Sequence, residues 1–282
     1  MPPWSSNLPS GAPRILPPSL SPHEQANFLL QAGRRLGLKR LPDSFGSSSD
    51  QARIESTSVL IDVLLCQVLA VQKLVFSISQ RHQPYDPNPL SYGDRLPDSL
   101  SLRSLRDIEA HSRNPYLSPD SFDRPSVTAI LRHTPAVVRL QVGYCNGAAP
   151  EGIVQNTLPE LRELCLFEGI DIDLAAVAEF CPHLQRCRLG AGVLESPSAG
   201  QFRKGLSASL ELDHGPVLNE LLPLRATLQS LDIDGSGIPI IDIRAVPDMS
   251  PFTALRSLRW IFPRRPDGDY ATLFDKLPPA IE

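Results

Sequence analysis

A six-residue pattern, L-x-x-L-x-L, returns along this chain, and a pattern that recurs at a steady interval constrains the fold more tightly than any local propensity. Its clear copies are LRELCL from Leu161, LQRCRL from Leu184, LQSLDI from Leu228 and LRSLRW from Leu255. Looser copies are VQKLVF from Val71, LRSLRD from Leu102 and VVRLQV from Val137, and SASLEL from Ser207 completes a series of eight. Successive starts lie 31, 35, 24, 23, 23, 21 and 27 residues apart. The two long intervals contain Pro-rich stretches near 81–100 and 111–126, read as loop insertions. Alternate side chains of a strand take opposite faces, so the fourth and sixth positions point to a core together, and the first turns inward with them.

Between these strands lie apolar stretches of helical character: SVLIDVLLCQVL (58–69), SVTAILRHT (126–134), DLAAVAEF (173–180) and PVLNELLPL (216–224). One strand and one helix per unit, with most intervals in the ~20–29 residue range of leucine-rich repeats, predicts an α/β leucine-rich-repeat solenoid over 57–282. The expected form is a curve of short parallel strands with helices or loops on its convex side. FCPHLQRCRL (180–189) resembles the helix end and strand of cysteine-containing leucine-rich repeats, and VVRLQVGYC puts Cys145 at the Asn-or-Cys position of such a unit. The helix, P-x-L, strand order and the closing LPPAIE (277–282) resemble the repeat region of F-box-type proteins abundant in filamentous fungi. That resemblance implies substrate recognition in ubiquitin ligation. LPDSF (41–45) could open an F-box, but GSSSDQARIESTS follows where two more apolar helices are required. The reading is therefore a non-catalytic interaction scaffold, the recognition region of an F-box-like ubiquitin-ligase receptor or a fragment of one. The alternative is a stand-alone leucine-rich-repeat regulator that binds and occludes a GTPase or hydrolase.

Outside the repeats, 29 of the 282 residues are proline, and seven of these fall in the first 22 positions with five serines. Proline removes backbone donors and fixes φ, so 1–22 is expected to be a disordered tail, followed by a helical or loop segment over 23–56. The net charge of −4 has no basic block behind it, which removes the electrostatic case for nucleic acid. GRRLGLKR (33–40) reads as a solvated helix face, with a nuclear-localisation patch as the alternative. Five cysteines without disulfide spacing, no N-x-[ST] sequon and no signal-peptide pattern point to a reducing, intracellular setting, cytoplasmic or nuclear. The apolar run 59–78 is interrupted by Asp62, Gln67, Gln72 and Lys73, too many polar groups for a membrane span.

Chemical sites fare poorly. Asp232, Asp234, Ser236 and Gly237 mimic a calcium loop, but its ninth and twelfth places hold Ile240 and Ile243, where a ligand and a bidentate carboxylate are needed. LGAGVLES (189–196) has Glu195 in place of the third glycine of a phosphate loop. Cys181, His183, Cys187 and Cys165 could be imagined around zinc, but the template sends Cys165 and Cys187 to opposite faces. The six histidines are scattered, and Asp213–His214 are strand neighbours that would face apart. No metal, cofactor or catalytic residue is expected.

What remains is the face carrying the third and fifth template positions. The third reads Lys73, Ser104, Arg139, Glu163, Arg186, Ser209, Ser230, Ser257, and the fifth reads Val75, Arg106, Gln141, Cys165, Arg188, Glu211, Asp232, Arg259. Strands ~4.8 Å apart make these rows into ladders of side chains in lateral contact. Arg139, Glu163 and Arg186 can neutralise one another, or the same residues can bind a protein partner. The expected surface comprises Arg106, Arg139, Glu163, Arg186, Arg188, Glu211, Asp232 and Arg259. Glu211 beside Asp232 would form an acidic end, and Arg106 with Arg139 a basic end, so an extended peptide could be read in fixed order. The last strand, with Trp260 inward, would leave an open edge and favour weak self-association there.

Overall fold

In the computed structural model of the chain, residues 21–45, 49–78, 95–112, 124–143, 158–167, 174–190, 214–234, 248–261 and 274–281 are described. The expected tail lies outside them except for its last two residues, and these already begin structure. Ser21 caps helix α1 (Pro22–Arg35), and Glu24 completes the box. The Ser21 N–H donates to Glu24 Oε2 at 2.8 Å, and the Glu24 N–H donates to Ser21 Oγ at 3.3 Å. Gly37, at φ 73°, turns the chain out of α1 in a conformation that favours glycine. Helix α2 (Ser49–Gln67) crosses the expected boundary at 56/57. It buries Val59, Val63 and Leu65 together with Asp62, which pairs with Arg95 Nη1 at 3.2 Å.

Among the described residues seven strands follow: β1 (Lys73–Ile78), β2 (Asp107–Ser112), β3 (Arg139–Gly143), β4 (Glu163–Phe167), β5 (Arg186–Gly190), β6 (Ser230–Asp234) and β7 (Ser257–Ile261). They form one parallel sheet whose spatial order is the order of sequence. Helices α3 (Arg124–Leu131), α4 (Leu174–Phe180) and α5 (His214–Leu221), the last continued by a 3-10 turn at Leu222–Leu224, lie between strands in sequence. Each falls on one of the expected helical stretches. Parallel neighbours need such crossovers, because a tight turn cannot return the chain to the start of the next strand. The chain is thus an α/β fold with a single all-parallel sheet.

One turn precedes nearly every strand. Leu105 N–H donates to Leu102 O at 3.0 Å, and Leu161 to Leu158 O, Leu184 to Cys181 O and Leu255 to Phe252 O at 3.1 Å each. The buried residue that opens the turn and the buried residue that closes it extend the template to nine positions. The next two N–H groups then both donate to one carbonyl of the preceding unit. Arg106 and Asp107 share Gln72 O, Arg162 and Glu163 share Val138 O, and Gln229 and Ser230 share Gln185 O, all at 2.7–3.1 Å. This fork lines each strand up with its predecessor. A further turn of this kind, with Ile281 N–H donating to Pro278 O at 3.3 Å, follows β7, where Met249 N–H also donates to Lys276 O at 2.8 Å.

The forward face of the ladder is apolar. Ile108, Leu140, Leu164, Cys187 and Leu231 lie side by side in register, followed by Ala110, Val142, Leu166, Leu189 and Ile233. All are buried, and they share one core with Val127, Ile130 and Leu131 of α3, Leu174 and Val177 of α4 and Leu218 and Leu221 of α5. On β7, the last strand of the sheet, Leu258 and Trp260 continue the two rows and are only partly buried.

Two expectations about the strands are corrected. The second strand does not start from Leu102. Lys73 pairs with Asp107 and Asp107 with Arg139, so the template begins at Leu105 and reads LRDIEA. Leu102, Leu105 and Ile108 are spaced by three, so a pattern read without partners fits either start; Leu102 instead opens the turn. The second correction concerns the strand expected at SASLEL. That segment lies outside the described residues, but β5 and β6 are hydrogen-bonded neighbours along their whole length, so no strand stands between them. The intervals between equivalent residues are therefore 34, 32, 24, 23, 44 and 27.

Candidate functional site

The opposite face of the sheet carries polar and charged side chains in two rows. With the corrected register, the third position reads Lys73, Asp107, Arg139, Glu163, Arg186, Ser230, Ser257, and the fifth reads Val75, Glu109, Gln141, Cys165, Arg188, Asp232, Arg259. The structure brings together six of the eight residues expected on this surface: Arg139, Glu163, Arg186, Arg188, Asp232 and Arg259. Arg106 is not among them. It precedes β2 by one residue, is exposed, and its Nη1 donates to Ala136 O at 3.0 Å. Glu211 lies outside the described residues, and the expected Glu211–Asp232 neighbour pair is overturned, because the strands flanking Asp232 carry Arg188 and Arg259. Two residues that the misplaced register hid, Asp107 and Glu109, belong to the rows. The signal for them was present in LRDIEA, whose inward places are Leu105, Ile108 and Ala110, where the start at Leu102 turns Asp107 inward.

Opposite charges meet across neighbouring strands. Lys73 Nζ lies 3.4 Å from Asp107 and 3.0 Å from Glu109, and these carboxylates hold its ammonium above the usual lysine range. Glu163 takes Arg139 Nε at 3.4 Å on one side and Arg186 Nη1 at 3.9 Å on the other. One oxygen of Asp232 meets Arg188 Nε at 3.2 Å and Arg259 Nη1 at 3.5 Å. In each group the shared central residue bridges two strands or more, which is what lateral spacing of ~4.8 Å permits. Such partly exposed pairs contribute up to about 1 kcal/mol each.

Cys165 sits between these groups. It belongs to the polar face by register, yet it is buried, and its thiol faces Glu163 Oε1 at 3.9 Å. Burial foremost, then the charge of Glu163, pushes its thiol up to about 11. Cys187, on the apolar face, and Cys181, in the turn before β5, are pushed up to about 12, chiefly by burial. Thiols held neutral are poor nucleophiles and poor metal ligands. Cys165 and Cys187 occupy opposite faces, and His183 is exposed. Among the described residues no group of three or more His, Cys, Asp or Glu is placed to hold a metal ion. The calcium-like residues Ser236 to Ile243 and the phosphate-loop-like stretch from Ala191 onward lie outside the described residues. Among the described residues no helix is long and apolar enough to cross a membrane, and Asp62, which interrupts the apolar run at 59–78, is buried and ion-paired.

The arrangement offers a fixed frame with side chains of varied chemistry on one face. A scan against protein-family models and a search of curated proteins gave no match.

Proposed function

We propose that the chain is a leucine-rich-repeat solenoid that acts as a non-catalytic scaffold for protein recognition, the substrate-recognition region of an F-box-like ubiquitin-ligase receptor. One observation carries this reading. Across seven strands the inward positions stay apolar, while the facing positions three and five change through Lys, Asp, Arg, Glu, Ser, Gln, Val and Cys. Packing dictates the first set, and nothing in the packing requires the variety of the second. A repeated frame with a free-varying, partly exposed face is how stacked-repeat proteins build extended binding surfaces. The partner is a protein, and the residues that meet it are Arg139, Glu163, Arg186, Arg188, Asp232 and Arg259, joined by Lys73, Asp107 and Glu109.

A second reading, a stand-alone repeat protein that occludes a GTPase or hydrolase, draws on α2. LPDSF is followed by this one helix before β1, and α2 spends Val59, Val63 and Leu65 on the common core. A helix so used has less apolar surface left for a ligase adaptor. Affinity capture from cell extract separates the two. Wild type is compared with a Glu163→Lys, Arg259→Glu variant, and bound proteins are identified by mass spectrometry. A partner lost with the variant supports recognition by this face. Co-capture of a cullin-ligase adaptor supports the first reading, and a GTPase or hydrolase whose activity falls on binding supports the second. Partners indifferent to the variant sink the assignment to this face.

A further inference from the structure

The polar face is not evenly charged. On β1 and β2 one cation, Lys73, lies between two carboxylates, Asp107 and Glu109. Among the described ion pairs, the ratio from β3 to β7 is inverted twice. One carboxylate, Glu163, serves Arg139 and Arg186, and one carboxylate, Asp232, serves Arg188 and Arg259. In positions three and five these five strands hold four arginines against two carboxylates. Asp234, one place further at the end of β6, still leaves an excess of arginine. The arginines are also the more accessible partners: the side chains of Arg186 and Arg259 are 70% and 57% exposed, against 26% for Glu163 and 18% for Asp232.

We infer that the β3–β7 stretch docks an extended, acidic segment of a partner protein. This rests on the recognition reading above and names the chemistry of its partner. It also reverses the polarity expected from sequence, since the carboxyl-rich end is at β2 and the arginine-rich end at β5–β7. Arginine presents planar, forked donors that suit carboxylates, and Arg186 and Arg259, the most exposed of the four, present theirs toward solvent. Glu163 and Asp232 lie two strands and two residues apart, about 10–12 Å at ~4.8 Å per strand and ~3.3 Å per residue. The two arginine pairs around them therefore match carboxylates three to four residues apart in an extended peptide. The Asp107–Glu109 end would repel a continuation of the same charge, so the acidic part of the segment is confined to the β3–β7 side. Exposed charges of this kind set orientation and on-rate, and their effect weakens with salt.

The test uses the full chain and fluorescence polarisation with three labelled ten-residue Gly/Ser peptides. One carries two Glu pairs four residues apart, and the others carry Gln or Lys at the same places. The Glu peptide should bind at least tenfold more tightly than the Gln peptide, and the difference should shrink at high salt. Arg186→Gln with Arg259→Gln should remove that tenfold preference while the melting temperature stays put; Lys39→Gln, which touches only the Lys39–Asp98 surface pair, should leave it intact. Should the double variant fold poorly, Arg186→Gln alone should reduce the preference severalfold. Equal binding of the Glu and Gln peptides, preference for the Lys peptide, or tighter binding of a single-stranded oligonucleotide of equal charge would each overturn the proposal. If the peptides fail while captured partners are still lost with Glu163→Lys, Arg259→Glu, recognition stands and only the acidic chemistry falls.

Discussion

Leu164 and Glu163 are adjacent in the chain and live in different solvents. Leu164 is fully buried between Leu140 and Cys187, whereas Glu163 lies between Arg139 and Arg186 on a face that water reaches. The same contrast holds for the ion pairs. Asp62–Arg95 is closed off on the core side, and Arg188–Asp232–Arg259 stands partly open on the other. Charge pairs that look alike in distance therefore differ in energy. Removing one member of a buried pair strands the other in a medium that cannot solvate it, while an exposed pair exchanges its partner for water.

Substitutions at the core can break this comparison most sharply. Leu164→Asp should cost about 3–5 kcal/mol, because it buries a carboxylate with no partner among apolar neighbours. Urea denaturation reads this directly, and a loss below about 1 kcal/mol would show that the strand's faces are not as assigned. Asp62→Ala should cost about 3–5 kcal/mol, the range for breaking a buried pair. Replacing both Asp62 and Arg95 by Leu and Met should recover most of that, a result that a purely local packing role for Asp62 does not produce.

The cysteines sharpen the comparison, since both faces hold one. The folded thiols of Cys165, Cys181 and Cys187 are raised to about 11, about 12 and about 12, from 9 in the open chain. A raised folded value means that folding favours the protonated thiol. This contribution is whole below pH 9 and is lost as pH rises from 9 through 11–12. Melting temperature should therefore decline across that window, and less steeply in a Cys181→Ala, Cys187→Ala variant measured against its own value at pH 7. An unchanged slope would mean that these thiols are not sealed from solvent. The smallest effect belongs to the polar face. Glu163→Gln should change stability by less than about 1 kcal/mol, and added salt should erase the change. A loss several times larger would place Glu163 in the frame rather than on the recognition surface.

How much of this was legible in advance varied along the chain. The units at Leu161, Leu184, Leu228 and Leu255 became strands in the expected register, because a large apolar residue at the sixth position (Leu166, Leu189, Ile233, Trp260) marks the start, where the second strand has only Ala110. The stretch from Leu102 to Ala110 holds four apolar residues at which two registers compete. The hydrogen bonds from Arg106 and Asp107 to Gln72 O, made across the sheet, select one of them. That choice placed Asp107 and Glu109 on the polar face and removed Arg106 from it. SASLEL satisfied the pattern locally, and pairing between strands decided that β6 follows β5.

Periodicity by itself determined that short strands recur between helical stretches, and which residues turn inward in the units at Leu161, Leu184, Leu228 and Leu255, since both follow from the alternation of side chains along each strand. The neighbours of Asp232, the polarity of the charged face and the pairing of Asp62 with Arg95 were decided only by the tertiary structure. Each depends on which segments lie side by side, and hydrogen-bonded register between distant strands sets that. A residue's own short stretch of chain contains its preference for a face. Its partner is a property of the stack.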